Sequence, residues 1–198
     1  MVKLVIDPAN ITKFDRSEEE LQEFLLFTVM VHGKKASIQS VKLHCFLEYL
    51  AHFTGHVMPF EMVKIAQEME DDVTGETILL QALRKFGLGQ YGRLCQSIED
   101  LVKLPDLRTV TVEQLENCFA VGPKSARFFV VHSRPNQEFA ILDTHVLKWL
   151  RLNGIDAPKN TPQGKWYGHF EEIFLTLVKK AGRSVAEIDL TIWKQYAT

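Results

Sequence analysis

The sequence of 198 residues lacks long hydrophobic runs, clustered cysteines and an excess of either charge. No apolar run approaches the roughly 20 residues that span a bilayer, and the stretch after Met1 is too short for a signal peptide. The three cysteines are odd in number and widely spaced, which argues against disulfides and against a CxxC-type metal or iron–sulfur site. We therefore expect a cytoplasmic protein with reduced thiols and no bound metal.

The net charge of −2 lacks the basic excess that is typical of polyanion-binding proteins. However, the charge is unevenly distributed. Residues 1–119 have 12 basic and 18 acidic side chains, a balance of −6, whereas residues 120–198 have 11 basic and 7 acidic, a balance of +4. The second half can bind DNA locally. We expect this binding to be weak unless the DNA contains a feature that the protein recognises specifically.

Hydrophobic side chains recur at helical spacing along almost the whole chain, which is 46% hydrophobic and 24% charged. Three capping boxes mark predicted helix starts at Ser17, Thr111 and Ser184. Another predicted helix has Ser37 as its cap. Two short stretches, 3–6 and 138–142, could be strands but have no evident partner. The sequence therefore predicts about ten helices and an all-α fold.

The segment 115–126 joins two short predicted helices by a turn centred on Val121-Gly122. Glycine allows a close backbone approach, and Pro123 presets the first turn of the second helix. Backbone amides at such a helix start can hold a DNA phosphate. Lys124 lies in this first turn, where the helix dipole disfavours a protonated ammonium group. Lys124 is therefore a candidate amine nucleophile, with a solvated phosphate contact as the alternative.

Asp143 follows an apolar run and begins another predicted helix. As an N-cap, its carboxylate would accept backbone amide hydrogens, which keep it ionised and fixed in place. This makes Asp143 a candidate catalytic carboxylate. A purely structural cap is the alternative, and it is the commoner role of an aspartate at such a position.

These two segments together resemble the helix-hairpin-helix DNA glycosylase superfamily, which includes endonuclease III and the 8-oxoguanine glycosylases. The match has two parts. The first is Val121-Gly122-Pro123-Lys124-Ser125-Ala126, and the second is Asp143-Thr144-His145-Val146, which begins 19 positions after Lys124. Residues 187–193 are similar to the small archaeal-type 8-oxoguanine glycosylases, which lack an iron–sulfur cluster. The resemblance implies base excision repair of double-stranded DNA, with removal of an oxidised purine such as 8-oxoguanine. It assigns a Schiff base and AP lyase chemistry to Lys124, and stabilisation of the sugar cation to Asp143.

The resemblance also implies roles for further residues. Contacts to the DNA backbone fall on Val121, Gly122, Ser125 and Arg93. Base-pocket or wedge roles fall on His32, Lys34, Leu88, Gln90, Tyr91, Asp189 and Trp193. The alternatives are a solvated basic turn for His32 and Lys34, and core positions for Leu88 and Trp193. We interpret His132 and His145 as core or helix-surface residues.

For the architecture, we expect two helical lobes with a substrate cleft between them. Residues 30–134, including the hairpin at 112–131, form one lobe, and residues 1–29 with 135–198 form the other. We expect a monomer, associated with the nucleoid, without a cofactor. The family implies only a structural monovalent cation at the hairpin.

The chain departs from the family pattern at three points. Ala120 stands where the first hairpin glycine is usual, the cysteine cluster of endonuclease III is absent, and the chain stops five residues after Trp193. These departures bear on the base specificity and not on the chemistry. Two other functions are kept as alternatives, and the pairing of Lys124 with Asp143 argues against the first of them. One is a non-catalytic helix-hairpin-helix binding module, and the other is an enzyme that acts on a hypermodified DNA base.

Overall fold

The computed structural model describes residues 6–196, and within this range the chain is all-helical, as predicted. A short 3₁₀ helix at Pro8–Asn10 precedes the α-helices. The only pairing of strand type in this range is an isolated bridge between Glu70 and Thr77. The ten helices are α1 (Glu18–Met30), α2 (Ala36–Thr54), α3 (Pro59–Glu68), α4 (Ile78–Lys85), α5 (Tyr91–Leu101), α6 (Val112–Glu116), α7 (Pro123–Ser133), α8 (Thr144–Leu152), α9 (Lys165–Ala181) and α10 (Val185–Tyr196).

The helices form two compact units, and their boundaries differ from the predicted lobes. The first unit contains Arg16–Val121 together with the described residues up to Pro8, and the second contains Ala9–Asp15 and the chain from Gly122 onward. Helix α1 falls in the first unit because it packs on α2, α3 and α5. Helix α7 falls in the second unit because it packs on α10. The predicted hairpin is therefore shared, with α6 in the first unit and α7 in the second.

The first unit is built around α1, which is buried on most of its surface. Phe24, Leu25 and Leu26 are all completely inaccessible to solvent. The predicted capping box opens the helix, because Glu20 N donates to Ser17 Oγ and Ser17 N donates to the Glu20 carboxylate. The predicted Ser37 cap of α2 is wrong. The helix begins at Ala36, and its N-cap residue, Lys35, lies two positions earlier than predicted and makes no side-chain hydrogen bond.

The second unit has its own apolar core, formed by α7, α8, α9, α10 and the segment before α8. Its buried members include Val131, Ile141, Leu147, Phe174 and Ile192. One of the two stretches that could be strands, 138–142, has no regular secondary structure and no strand partner, in agreement with the predicted all-α fold. The other stretch, 3–6, lies outside the described residues except for its last residue.

Candidate active site

Lys124 is the second residue of α7, directly after the N-cap Gly122 and Pro123. The side chain is half-buried, and its Nζ lies 4.9 Å from the centre of the Phe128 ring, one helical turn further on. Among residues 6–196, nothing accepts a hydrogen bond or forms an ion pair with this ammonium group. The predicted placement in the first helical turn is confirmed, and the amine is available for other partners.

Asp143 is the N-cap of α8, as the sequence predicts. Its Oδ1 accepts hydrogen bonds from the amides of His145 and Val146, both at 2.8 Å. Burial is the largest influence on this carboxyl group and raises its pKa, and the charge of Asp189 raises it further. The Val146 amide and the positive charge of Lys124 act in the opposite direction. The structure therefore brings Lys124 close enough to Asp143 for the two charges to interact.

A network of side chains holds the segment 138–142, which leads into Asp143 and has no regular secondary structure. The Tyr167 hydroxyl donates to Ala140 O at 2.7 Å and accepts from Leu142 N at 3.2 Å. The Ala140 amide donates to Glu171 Oε1 at 2.8 Å, and Thr161 Oγ1 donates to Leu142 O at 2.9 Å. Side chains of α9 and of the loop before it therefore replace the neighbouring strand that this segment lacks.

The same network reaches α7 through Arg127, one turn after Lys124. Arg127 Nε donates to Glu171 Oε1 at 2.8 Å, and a second guanidinium nitrogen donates to Oε2 at 3.2 Å. The guanidinium also lies 4.5 Å from the centre of the Tyr167 ring. Glu171 thus binds both the helix that carries Lys124 and the segment that carries Asp143. This connection fixes the two catalytic candidates relative to each other.

Sequence reasoning did not find Arg127, Tyr167 and Glu171. One signal was present in the sequence, because an extended segment without a strand partner must bond its buried backbone groups to side chains. Tyr167 and Glu171 are four residues apart on a predicted helix, so they lie on the same face. The pattern alone does not say which helix face meets the segment.

Asp189 and Trp193, the predicted base contacts on α10, lie in different environments. Asp189 is buried, and its Oδ2 is 3.0 Å from Nε2 of His132. Trp193 is half-buried one turn further on. His132 is completely buried, in agreement with its interpretation as a core residue. Its pairing with Asp189 was not predicted.

In the first unit, Lys34 holds the loop that precedes α5. Its Nζ donates to Leu88 O and, at 3.2 Å, to Met30 O. Burial lowers the pKa of Lys34, and the charge of Lys42 lowers it further. The Leu88 side chain is 0% exposed, so Leu88 occupies a core position, which is the alternative given above to the wedge role. His32, in contrast, lies exposed in the turn after α1.

The residues at the start of α5 are accessible. Gln90 is exposed and is the N-cap of α5, with a left-handed backbone at φ 48° that is strained for a residue other than glycine. Tyr91 follows it and is half-buried. Arg93 is exposed, and its guanidinium lies 5.9 Å from the centre of the Phe119 ring in the turn after α6. Three predicted DNA contacts therefore lie together at one helix start.

The turn into α7 presents its backbone rather than its side chains. The side chains of Val121 and Ser125 are buried, whereas Gly122 is exposed. Ala120 has a left-handed backbone with φ 61°, the conformation that favours the glycine usual in the family. A phosphate contact at this turn would therefore use backbone amides.

Neither a cluster of metal-binding side chains nor a membrane-spanning helix is found among the described residues. No group of three or more His, Cys, Asp or Glu side chains between residues 6 and 196 could hold a metal ion. None of the helices in that part of the chain has both the length and the apolar character needed to cross a bilayer.

Comparisons with known sequences give a partial match. No protein-family model matches the chain. A protein of Thermoplasma volcanium named 8-oxoguanine DNA glycosylase/AP lyase is 37% identical over 79 residues, which are 40% of this chain and 37% of the relative. A protein of the same name from Thermoplasma acidophilum is 34% identical over 93 residues, 47% of this chain and 44% of the relative. The match therefore spans less than half the length of either relative.

Comparison with solved structures gives a match in fold over nearly the whole chain. The Methanocaldococcus jannaschii 8-oxoguanine DNA glycosylase has a TM-score of 0.67 at 18% identity, over 96% of this chain and 84% of that one. The same enzyme in complex with DNA containing 8-oxoguanine has a TM-score of 0.66 at 18% identity, over 96% and 87%. The Thermotoga maritima 8-oxoguanine DNA glycosylase has a TM-score of 0.65 at 22% identity, over 96% and 86%. The chain thus has the fold of the 8-oxoguanine DNA glycosylases, the type of protein that its lysine and aspartate motifs resemble.

Proposed function

We propose that this chain is a base excision repair DNA glycosylase with AP lyase activity, which removes an oxidised purine such as 8-oxoguanine. The observation that carries the proposal is the pairing of Lys124 and Asp143. Each lies at the start of a helix in the second unit, and the positive charge of Lys124 acts to lower the pKa of Asp143. The names of the Thermoplasma relatives and the shared fold support the same activity.

The chemistry begins when the damaged nucleotide is flipped out of the duplex. Lys124 first loses its ammonium proton to solvent, and the neutral nitrogen then attacks C1′ with its lone pair while the bond from C1′ to the base breaks. The base leaves with the electron pair of the bond that breaks, and it takes up a proton. Opening of the sugar ring at O4′ then gives an imine on Lys124. Loss of a 2′ proton and of the 3′ phosphate cleaves the strand by β-elimination, and water releases the enzyme.

Asp143 supplies the negative charge that these reaction steps require. Positive charge develops on the sugar as the base leaves, and a fixed carboxylate beside it stabilises the transition state. Both amide hydrogen bonds go to Oδ1, so within residues 6–196 Oδ2 has no donor that competes with the sugar. The burial of the group strengthens its interaction with that developing charge.

For DNA binding, we propose that the backbone amides at Gly122 and Ser125 hold a phosphate at the start of α7, and that Arg93 contacts another. Gln90 would fill the gap left by the flipped base, with Tyr91 beside it, and Trp193 would stack on that base. Lys34 instead positions the loop before Gln90. We further propose a monomer that acts on nucleoid DNA without a cofactor, with hairpin carbonyls as the place for a monovalent cation.

The test is borohydride trapping on duplex DNA that contains one 8-oxoguanine. The parent protein should release the base, nick the strand and form a covalent adduct on reduction. Lys124→Gln should abolish the adduct and the nick, whereas the matched control Lys148→Gln, an exposed lysine of α8, should leave both intact. Adduct formation by Lys124→Gln would overturn the assignment. Binding without base release by the parent would instead indicate a non-catalytic DNA-binding module.

A further inference from the structure

The second unit contains a buried pair of charged or polar side chains that the proposed chemistry does not use. His132 on α7 has no solvent exposure, and both of its ring nitrogens have partners. Nε2 lies 3.0 Å from Asp189 Oδ2, and Nδ1 lies 2.8 Å from Thr12 Oγ1. The His132 carbonyl also accepts from the Lys13 amide at 3.1 Å. A buried carboxylate is costly without such a donor, so His132 accounts for how Asp189 is accommodated.

This pair is connected to the candidate active site along one face of α7. Lys124, Phe128 and His132 are spaced four residues apart and therefore follow one another along the helix. The Phe128 ring centre is 4.9 Å from the His132 ring centre and 4.9 Å from Lys124 Nζ. Helix α10, which contains Asp189, packs on both α7 and α8. Asp189 thus lies on the helix that packs against both catalytic elements.

We propose that Asp189, held by His132, is a positioning residue that acts on Asp143 through its charge, and that its carboxylate does not read the base. The groups that face Asp143 come from three helices. Lys124 on α7 and His145 on α8 favour its ionised form, and Asp189 on α10 opposes it. Because the negative charge of Asp189 raises the pKa of Asp143, it makes the carboxylate bind positive charge more strongly.

The first measurement needs no substrate. Asp189→Asn keeps the shape of the side chain, and its amide oxygen can accept from His132. In carbon-detected NMR titrations of aspartate carboxyl groups, the Asp143 signal is identified by its loss in Asp143→Asn. This signal should titrate at lower pH in Asp189→Asn than in the parent. The exposed control Asp156→Asn should leave the Asp143 titration unchanged. An unchanged or raised Asp143 pKa in Asp189→Asn would overturn the proposal.

The second measurement rests on the proposed function. In single-turnover base release, Asp189→Asn should move the acidic limb of the pH profile to lower pH, and the preference for 8-oxoguanine over guanine should stay the same. A loss of that preference with an unmoved acidic limb would show that Asp189 reads the base. If the parent releases no base, the proposed function fails, and the titration alone decides the role of Asp189. Asp189→Ser gives a second neutral variant if the asparagine variant does not fold.

Discussion

Replacement of Tyr167 by phenylalanine tests whether side chains, in place of a sheet, position Asp143. The change removes one oxygen atom and leaves the ring in the core, where Tyr167 is buried. That oxygen bonds two backbone groups of the segment before Asp143, Ala140 O at 2.7 Å and Leu142 N at 3.2 Å. In the variant, both groups lose this partner while they remain buried.

The size of the effect follows from the two backbone groups. Each buried group left without a partner costs about 1–3 kcal/mol, so we expect a loss of about 3 kcal/mol in the free energy of unfolding. For a chain of this length, that corresponds to a decrease of about 6–12 °C in Tm. A displacement of Asp143 by about 1 Å would slow base release by roughly 100-fold. The apparent affinity for lesion DNA should change little, because the proposed DNA contacts lie elsewhere.

The assay compares thermal unfolding and single-turnover base release for Tyr167→Phe and Tyr49→Phe. Tyr49 is a matched control, because its hydroxyl has no hydrogen-bond partner among residues 6–196. The control should behave like the parent in both measurements. If Tyr167→Phe also unfolds and reacts like the parent, the hydroxyl does not hold the segment and the positioning argument is refuted.

Three further predictions concern the first unit. Ala120→Gly should raise the free energy of unfolding by about 0.5–1 kcal/mol in urea titrations. The φ of 61° costs alanine about 1–2 kcal/mol, which exceeds the added chain entropy of glycine, about 0.4–1 kcal/mol. Lys34→Met should lower the free energy of unfolding by about 1–3 kcal/mol, because Leu88 O loses its donor. Burial and the charges of Glu19 and Glu20 raise the pKa of Glu23 from 4.5 to about 7. The folded state therefore holds this proton more tightly, and between pH 4.5 and 7 the free energy of unfolding should fall by roughly 3 kcal/mol in the parent but not in Glu23→Gln.

Each of these has its own control. Ala51→Gly, inside α2, should destabilise by about 1 kcal/mol, and a similar loss in Ala120→Gly would contradict the left-handed backbone. Lys35→Met changes an exposed neighbour of Lys34 and should be neutral, so equal losses in both variants would rule out the loop contact. A pH dependence that is the same in Glu23→Gln and in the parent would show that another group is responsible.

Much of the fold could be predicted because its signals are local. Capping boxes at Ser17 and Thr111 and the N-cap at Asp143 depend on side chains that bond to amides two or three residues away. The two partners of each bond lie within one helical turn of each other along the sequence, so the sequence alone predicts the bond. The same local logic placed Lys124 in the first turn of α7.

The features that were missed depend on tertiary packing. The boundary between the units depends on which helices α1 packs against, and the hydrogen bond from Lys34 to Leu88 O joins residues 54 positions apart. The Arg127–Glu171 pair joins residues 44 positions apart, and the His132–Asp189 pair joins residues 57 positions apart. Periodicity indicates which face of a helix is apolar, but it does not identify the polar partner across the core.

The most direct test of the account is to locate the covalent bond itself. The parent protein is reacted with 8-oxoguanine duplex DNA, reduced with borohydride, digested with nuclease and protease, and analysed by mass spectrometry. The account predicts that the sugar remnant is attached to Nζ of Lys124 and to no other amine. Attachment to a different lysine or to the terminal amine would contradict the central claim.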